Sequence, residues 1–310
     1  MVPVLKWRMT QKQSFVIFAS LCFIWGTTWL AIRVTVAELS PLTGASLRFI
    51  LATICVLLYA RYKRISLSLP SRTLYFWMIL CALLTYVIDY GLIYWAEQYL
   101  SAGVTAIFFA TFPLFTALFG FWLLPDRELS SGGTLGVVLG FAGVIIVFLD
   151  QLLSTRFEKT VLLASLAIIL AAMAAALSTV LVKKVATGIS SAAVTFHQLI
   201  WGTFGLLLLA IIFEPLPAHI PEITTISAII YLGIIGTALT FILYYRLLQD
   251  KTAASMSTIG YITPLVAVII DFFIFGYLLP IRTWLGLLIV FSGIYLINKK
   301  PKQIIQKEQI

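Results

Sequence analysis

Inside one apolar run, Tyr86, Asp89, Tyr90, Tyr94 and Glu97 recur at i, i+3, i+4, i+8 and i+11. That spacing puts them on one face of a helix. Hydrocarbon would not accept such a stripe, so the face is expected to meet protein or a wet cavity. Asp89 is open to two readings. As a cavity carboxylate it carries a proton through a transport cycle; as a structural group it accepts hydrogen bonds from another helix. Asp271, toward the far end of a later run, is either a rim group or a second candidate for the proton. Glu97 lies near the end of its run and reads as a solvated rim residue.

Arg48 lies about six residues, hence roughly 9 Å, inside its own run. It can hold a substrate carboxylate, pair with an acid such as Asp89, or snorkel to the headgroups. Its counterpart in the second half is Gln198, next to His197, which reads as a titrating group or as a buried histidine satisfied by a neighbour. Trp25, Thr28 and Trp29 share a helix face, either a cavity wall or a set of interface anchors. Ser178 and Thr179 sit at a similar depth in the sixth run. Gly233, Thr237, Thr240 and Tyr244 form a small-polar face on the eighth, which close helix packing explains equally well. The substrate-cavity candidates are therefore Trp25, Thr28, Arg48, Tyr86, Asp89, Tyr90, Tyr94, Ser178, His197, Gln198, Thr240 and Tyr244. Pro113 and Pro264 are expected to kink their helices and serve as bending points of a gate. No Lys or Arg besides Arg48 lies deep in a run, which disfavours phosphorylated substrates. Cys22, Cys55 and Cys81 lie inside apolar runs with no zinc spacing, and no Gly-rich phosphate loop is present, so no cofactor or metal is expected.

The elements that must position these groups follow from composition. Of 310 residues, 61% are apolar and 11% charged, and the mean hydropathy is +1.06. A soluble fold cannot hide that much apolar surface, which excludes a soluble enzyme or a nucleic-acid binder. A helix needs roughly 20 apolar residues to cross a bilayer. Ten stretches qualify, at about 14–32, 42–60, 74–96, 101–123, 133–149, 160–181, 190–212, 224–245, 253–275 and 281–297. With both termini in the cytoplasm, sixteen of the 21 basic residues face inside and four face outside, the remaining one being Arg48. The positive-inside rule favours that orientation.

The chain also repeats itself. A shift of 151 lays Tyr94 on Tyr245, Gln98 on Gln249 and Pro113 on Pro264; a shift of 150 lays Gly136 on Gly286 and Gly143 on Gly293. Residues 1–150 and 151–310 are thus expected to be two five-helix units. Because five is odd, the second unit enters the membrane from the opposite side. The basic segment Arg61–Arg64 accordingly corresponds to the acidic segment Glu214–Glu222. The expected fold class is an all-α polytopic membrane protein of two inverted five-helix repeats, a plan widespread among secondary transporters.

In these features the chain resembles the drug/metabolite transporter superfamily and, within it, the ten-helix EamA type. The resemblance is carried by Ile24-Trp25-Gly26-Thr27-Thr28, Leu47-Arg48-Phe49, Pro113-Leu114-Phe115, Leu135-Gly136 through Gly143-Val144, and Thr263-Pro264-Leu265, and covers residues 14–298. Members often have Gly-Glu after the fourth and ninth spans; here Leu124-Pro125-Asp126-Arg127-Glu128 and Gly276-Tyr277 stand there. The resemblance implies export or exchange of small metabolites, often amino acids, or of drugs, through a cavity lined by both halves. The expected protein is a multi-pass carrier of the bacterial inner or cytoplasmic membrane, working by alternating access, with protons as a possible coupling ion and no nucleic-acid partner. A lipid or amphiphile transporter is the alternative, ahead of a channel or a membrane enzyme.

Overall fold

The structure, a computed structural model, describes residues 9–125, 135–136, 138–143, 145–146, 159–276 and 280–298. Among these residues every regular element is helical. The α-helices are α1 (Gln11–Val36), α2 (Pro41–Tyr62), α3 (Arg72–Ala82), α4 (Tyr90–Ala96), α5 (Ala102–Phe109), α6 (Phe112–Leu123), α7 (Lys159–Val185), α8 (Ser191–Phe213), α9 (Ile223–Gly233), α10 (Thr240–Asp250), α11 (Ala253–Ser257), α12 (Ile259–Phe275) and α13 (Ile281–Asn298). Among the described residues eight spans are long and apolar enough to cross a membrane: Gln11–Val36, Pro41–Tyr62, Arg72–Ala96, Ala102–Leu123, Lys159–Val185, Ser191–Phe213, Ile223–Asp250 and Ala253–Ile274. The apolar part of α13, Ile281–Gly293, is shorter. The expected span 133–149 is helical wherever it is described, and its remaining residues lie outside the described ones.

Local chemistry sets the helix starts. Thr10 accepts from the Gln13 N–H and the Gln13 side chain accepts from the Thr10 N–H, a reciprocal cap on α1. Ser71, Ser101, Ser190 and Thr252 cap α3, α5, α8 and α11 with their hydroxyls. Pro41 opens α2, where no intrahelical N–H is needed.

Two spans depart from a plain α-helix. The third passes through a π-helical turn at Leu83–Asp89, between α3 and α4. The eighth does so at Ile234–Leu239, between α9 and α10. The two turns are repeat mates at a shift of 151. The fourth span is broken at Ala110–Thr111, so Pro113 stands in the first turn of a new helix rather than at a kink of a continuous one. Pro264 lies inside α12, and the ninth span breaks instead at Thr258, before that helix. The two broken spans meet there: a side chain at Gly260 would touch the Pro113 ring at 3.3 Å.

Cross-half packing comes in matched pairs. Helix α1 packs on α12 as α7 packs on α6, and α3 packs on α8 as α9 packs on α2. Each π turn lies against the second or seventh span of the other half. Gly143 meets the backbone of Gly286 and Val290, while Gly293 meets the backbone of Gly136 and Gly140. Even the helix ends obey the exchange. Arg33 donates to the carbonyls of Glu97, at 3.1 Å, and Leu100 at the end of the third span. Lys183, its mate at a shift of 150, donates to those of Leu248 and Gln249 at the end of the eighth, at 2.7 and 3.2 Å. These cross-half contacts thus recur between mated elements of a duplicated chain. The packing itself uses small residues because apolar surface gains little by leaving lipid; α7 buries Ala171, Ala172, Ala174, Ala175 and Ala176.

Candidate functional site

Between the halves lies a cavity of about 720 Å³, counted to its open mouth. Rings make most of its wall: Trp25 and Trp29 from α1, Tyr90 from α4, Phe109 and Phe112 flanking the break in the fourth span, and Phe241, Tyr244 and Tyr245 from α10. They pack on one another, with Trp25 5.2 Å from Tyr244 and 5.6 Å from Phe241, and Trp29 5.3 Å from Phe109. Hydroxyls from Thr28, Thr85, Thr179 and Thr263 interrupt the rings. Among the described residues a single carboxyl group reaches the wall, that of Asp89, and no Lys, Arg or His lines it. Asp89 is 4% exposed, and its Oδ1 has no hydrogen-bond partner among the described residues. The indole N–H of Trp29 is likewise buried without one.

Within the stripe on the third span, Asp89 and Tyr90 line the cavity, while Tyr86 and Tyr94 stand behind the wall, both fully buried. Depth decides rather than the helix wheel: Tyr90 and Tyr94 are one turn apart in α4, and the cavity reaches only Tyr90. Tyr86 turns its ring to Phe49, 4.9 Å away, and to Phe241, 5.3 Å away. Its Cβ fills the space beside Gly202, where a side chain would collide with it.

Arg48 also stands behind the wall, fully buried. Its Nε donates to the Thr237 hydroxyl at 2.7 Å and its Nη2 to the Gly236 carbonyl at 3.3 Å. The guanidinium lies 4.6 Å from the Tyr90 ring and 5.1 Å from that of Phe49. Gly236 belongs to the second π turn, whose loosened ladder leaves its carbonyl free for side chains. The same carbonyl takes the indole N–H of Trp25 at 3.3 Å. One backbone group thus ties a cavity ring of the first span to the buried cation of the second.

Of the sequence candidates, Trp25, Thr28, Asp89, Tyr90 and Tyr244 come together on the cavity wall. Ser178 lies deeper and clamps the first π turn: it accepts from the Thr85 hydroxyl at 2.6 Å and donates to the Cys81 carbonyl at 3.2 Å. Thr240 donates back to the Thr237 carbonyl at 3.3 Å. Gln198 accepts from the Tyr245 hydroxyl at 2.9 Å. His197 is away from the cavity, 2.7 Å from the Leu67 carbonyl and edge-on to Tyr75. Asp271 falls in α12, and its side chain lies outside the described residues. Thr85, Phe109, Phe112, Phe241, Tyr245 and Thr263 were not singled out for the cavity from sequence. The repeat pointed to two of them, because Phe241 is the mate of Tyr90 and Tyr245 the mate of Tyr94.

Comparison with known proteins agrees with this architecture. The model of the EamA-like transporter family matches twice, at residues 13–149 and 162–299. The chain is 24% identical over 279 residues to YoaV of Bacillus subtilis, an uncharacterised transporter, covering 89% of this chain and 94% of YoaV. It is 28% identical over 291 residues to YedA of Escherichia coli K12, an uncharacterised inner membrane transporter, covering 91% and 92%. PagO of Salmonella typhimurium is 25% identical over 292 residues, with 93% of each chain covered. A solved crystal structure shares the fold at a TM-score of 0.70 and 16% identity, covering 93% of this chain and 97% of its own. With two family units spanning almost its whole length, the chain belongs to the EamA-like transporter family and is a multi-pass transport protein of the plasma membrane.

Proposed function

We propose that the protein is a secondary carrier, not an enzyme, that exports small amine-bearing metabolites or drugs, amino acids among them, by alternating access. One observation carries the reading. The cavity joins a ring of aromatic side chains to one buried carboxylate with an unpartnered oxygen, and among the described residues no basic side chain lines it. An ammonium group would satisfy Asp89 and lie against aromatic faces, whose quadrupoles attract cations. The apolar body of the substrate would lie against the remaining aromatic wall. Asp89 is also the group we assign to proton coupling, since a buried carboxylate without a partner is held comfortably only when neutral or when a cation arrives. Both termini are cytoplasmic in this reading, and the two halves are inverted repeats whose conformations exchange to open the cavity on alternate sides.

The test is counterflow in proteoliposomes loaded in turn with amino acids and with aromatic amines, for the native protein and for Asp89→Asn. The variant should fold, because it keeps the side-chain shape, and should lose pH-driven transport. A native protein that counterflows anionic substrates but no amine would overturn the substrate class. Full pH-driven transport by Asp89→Asn would remove Asp89 from coupling.

A further inference from the structure

The central cavity has a neighbour. A second basin, about 1430 Å³ counted to its open mouth, lies where α7 ends, α8 begins and α10 ends. Polar groups surround it, among them Lys183, Ser190, Arg246, Gln249 and Asp250, so it is a basin for water. One residue stands on the walls of both spaces, Tyr245. Its ring is 4% exposed and is wedged 5.7 Å from Phe241 and 5.5 Å from Tyr244. Its hydroxyl is held across the helix interface by the fully buried Gln198 on α8. A single phenol, fixed by a single hydrogen bond, therefore separates the aromatic cavity from the wet basin.

The repeat supplies the same device on the opposite side. Tyr94 is the mate of Tyr245 at a shift of 151, and Arg48 is the mate of Gln198 at a shift of 150. The Tyr94 hydroxyl lies beside the Arg48 guanidinium, and its ring packs on α2 at Gly44, 3.4 Å from where a Cβ would stand. The two pairs join equivalent helices of the two halves, the end of the third span to the second and the end of the eighth to the seventh. They differ in state. Tyr245 forms a thin wall with space on both sides, whereas Tyr94 is fully buried and faces neither cavity nor basin.

We propose that Tyr245 held by Gln198 is the partition between the cavity and the basin on one face, and that Tyr94, packed beside Arg48, is its counterpart on the other. The proposal rests on the reading that the central cavity is the transport site and that the halves exchange conformations. When they do, Tyr94 takes the thin-wall position and Tyr245 the packed one. The tyrosines position the path and touch no chemistry.

Solvent access tests this without any substrate. In full-length protein with Cys22, Cys55 and Cys81 replaced by alanine, Thr179→Cys puts a thiol on the cavity wall. A charged, membrane-impermeant thiol reagent is applied to membrane vesicles of either sidedness. A separate Lys251→Cys variant identifies the basin face. Tyr245→Ala should raise the modification rate at position 179 tenfold or more from the basin face and leave the rate from the other face unchanged. Tyr245→Phe and Gln198→Leu keep the wall but remove the latch, and should each raise it about fivefold, the factor one ordinary hydrogen bond represents. Tyr94→Ala should raise the rate from the opposite face alone. An unchanged rate in Tyr245→Ala, or a rise from both faces alike, would overturn the proposal, the second outcome marking general loosening. If Tyr245→Ala is not recovered folded, Tyr245→Phe and Gln198→Leu decide by the same criterion. Failure of counterflow for every substrate would leave these rates untouched, so the two readings fail separately.

Discussion

Asp89 and Arg48 are both buried and each keeps one polar atom without a hydrogen-bond partner, but only Asp89 reaches the cavity. Arg48 is enclosed behind the wall by Thr237, the Gly236 carbonyl and two rings. Among the described residues they form no ion pair with each other. The first arrangement suits a group that exchanges partners, and the second suits one that holds helices together. Lysine cannot reproduce the planar fork or its stacking. Arg48→Lys should therefore lower stability by about 2 kcal/mol, the scale of hydrogen bonds to a charged group. Thermal unfolding in detergent would show it as a clear fall in midpoint, and an unchanged midpoint would mean the fork is dispensable.

At the scale of elements, the repeat is written into helix irregularities as much as into helices. Side chains from other helices reach the paired π turns, Ser178 at the first and Arg48 and Trp25 at the second. The paired glycines let backbones touch. A methyl group at Gly143 would stand 2.6 Å from the Gly286 carbonyl oxygen, and one at Gly293 would collide with the backbone of Gly136 and Gly140. Backbone in a packed helix pair cannot step aside as a side-chain tip can. Gly143→Ala and Gly293→Ala should each cost about 1–3 kcal/mol, the range of overpacked interiors. Denaturation in detergent should place the two variants close together. A neutral effect in either would show that the last helices of the halves are less tightly apposed.

At the scale of the molecule, two acids link the halves across the face opposite the basin. Glu214 accepts from the Leu42 and Thr43 N–H groups and the Thr43 hydroxyl, each at 2.8 Å, and so caps α2. Glu38 accepts twice from the Glu222 N–H at the start of α9 and lies 3.4 Å from His219. Hydrogen bonds from the Thr225 hydroxyl and the Glu222 N–H, with His219 nearby, hold the Glu38 carboxyl below its ordinary range. A carboxylate with a depressed folded value stabilises above its unfolded value and loses that contribution as pH falls through the folded one. The native midpoint should thus fall more steeply than that of Glu38→Gln as pH drops below about 4.3. Parallel curves would show that this contact adds nothing to stability. The same face should be external. A cysteine at Ala218 should react with an impermeant reagent on intact cells and one at Lys63 should not; the reverse would invert the whole topology.

Periodicity and composition were enough to read helices, a bilayer and a duplicated chain, because these depend on run length, apolar content and residue spacing along one strand of sequence. The matched glycines, prolines and tyrosines were legible for the same reason, as was the choice of Asp89, since an acid in hydrocarbon needs a cause. What could not be read was which side chains of the third span the cavity reaches. A helix wheel gives a face and not how far along it a cavity reaches: Tyr90 and Tyr94 are one turn apart in α4, yet only Tyr90 lines the cavity. Packing moved Arg48, Tyr86 and Tyr94 behind the cavity wall and brought Thr85, Phe241 and Tyr245 onto it. It also set the break of the fourth span at Ala110–Thr111, ahead of Pro113. Those outcomes depend on how two halves separated by 150 residues meet, and spacing within either half does not contain that information.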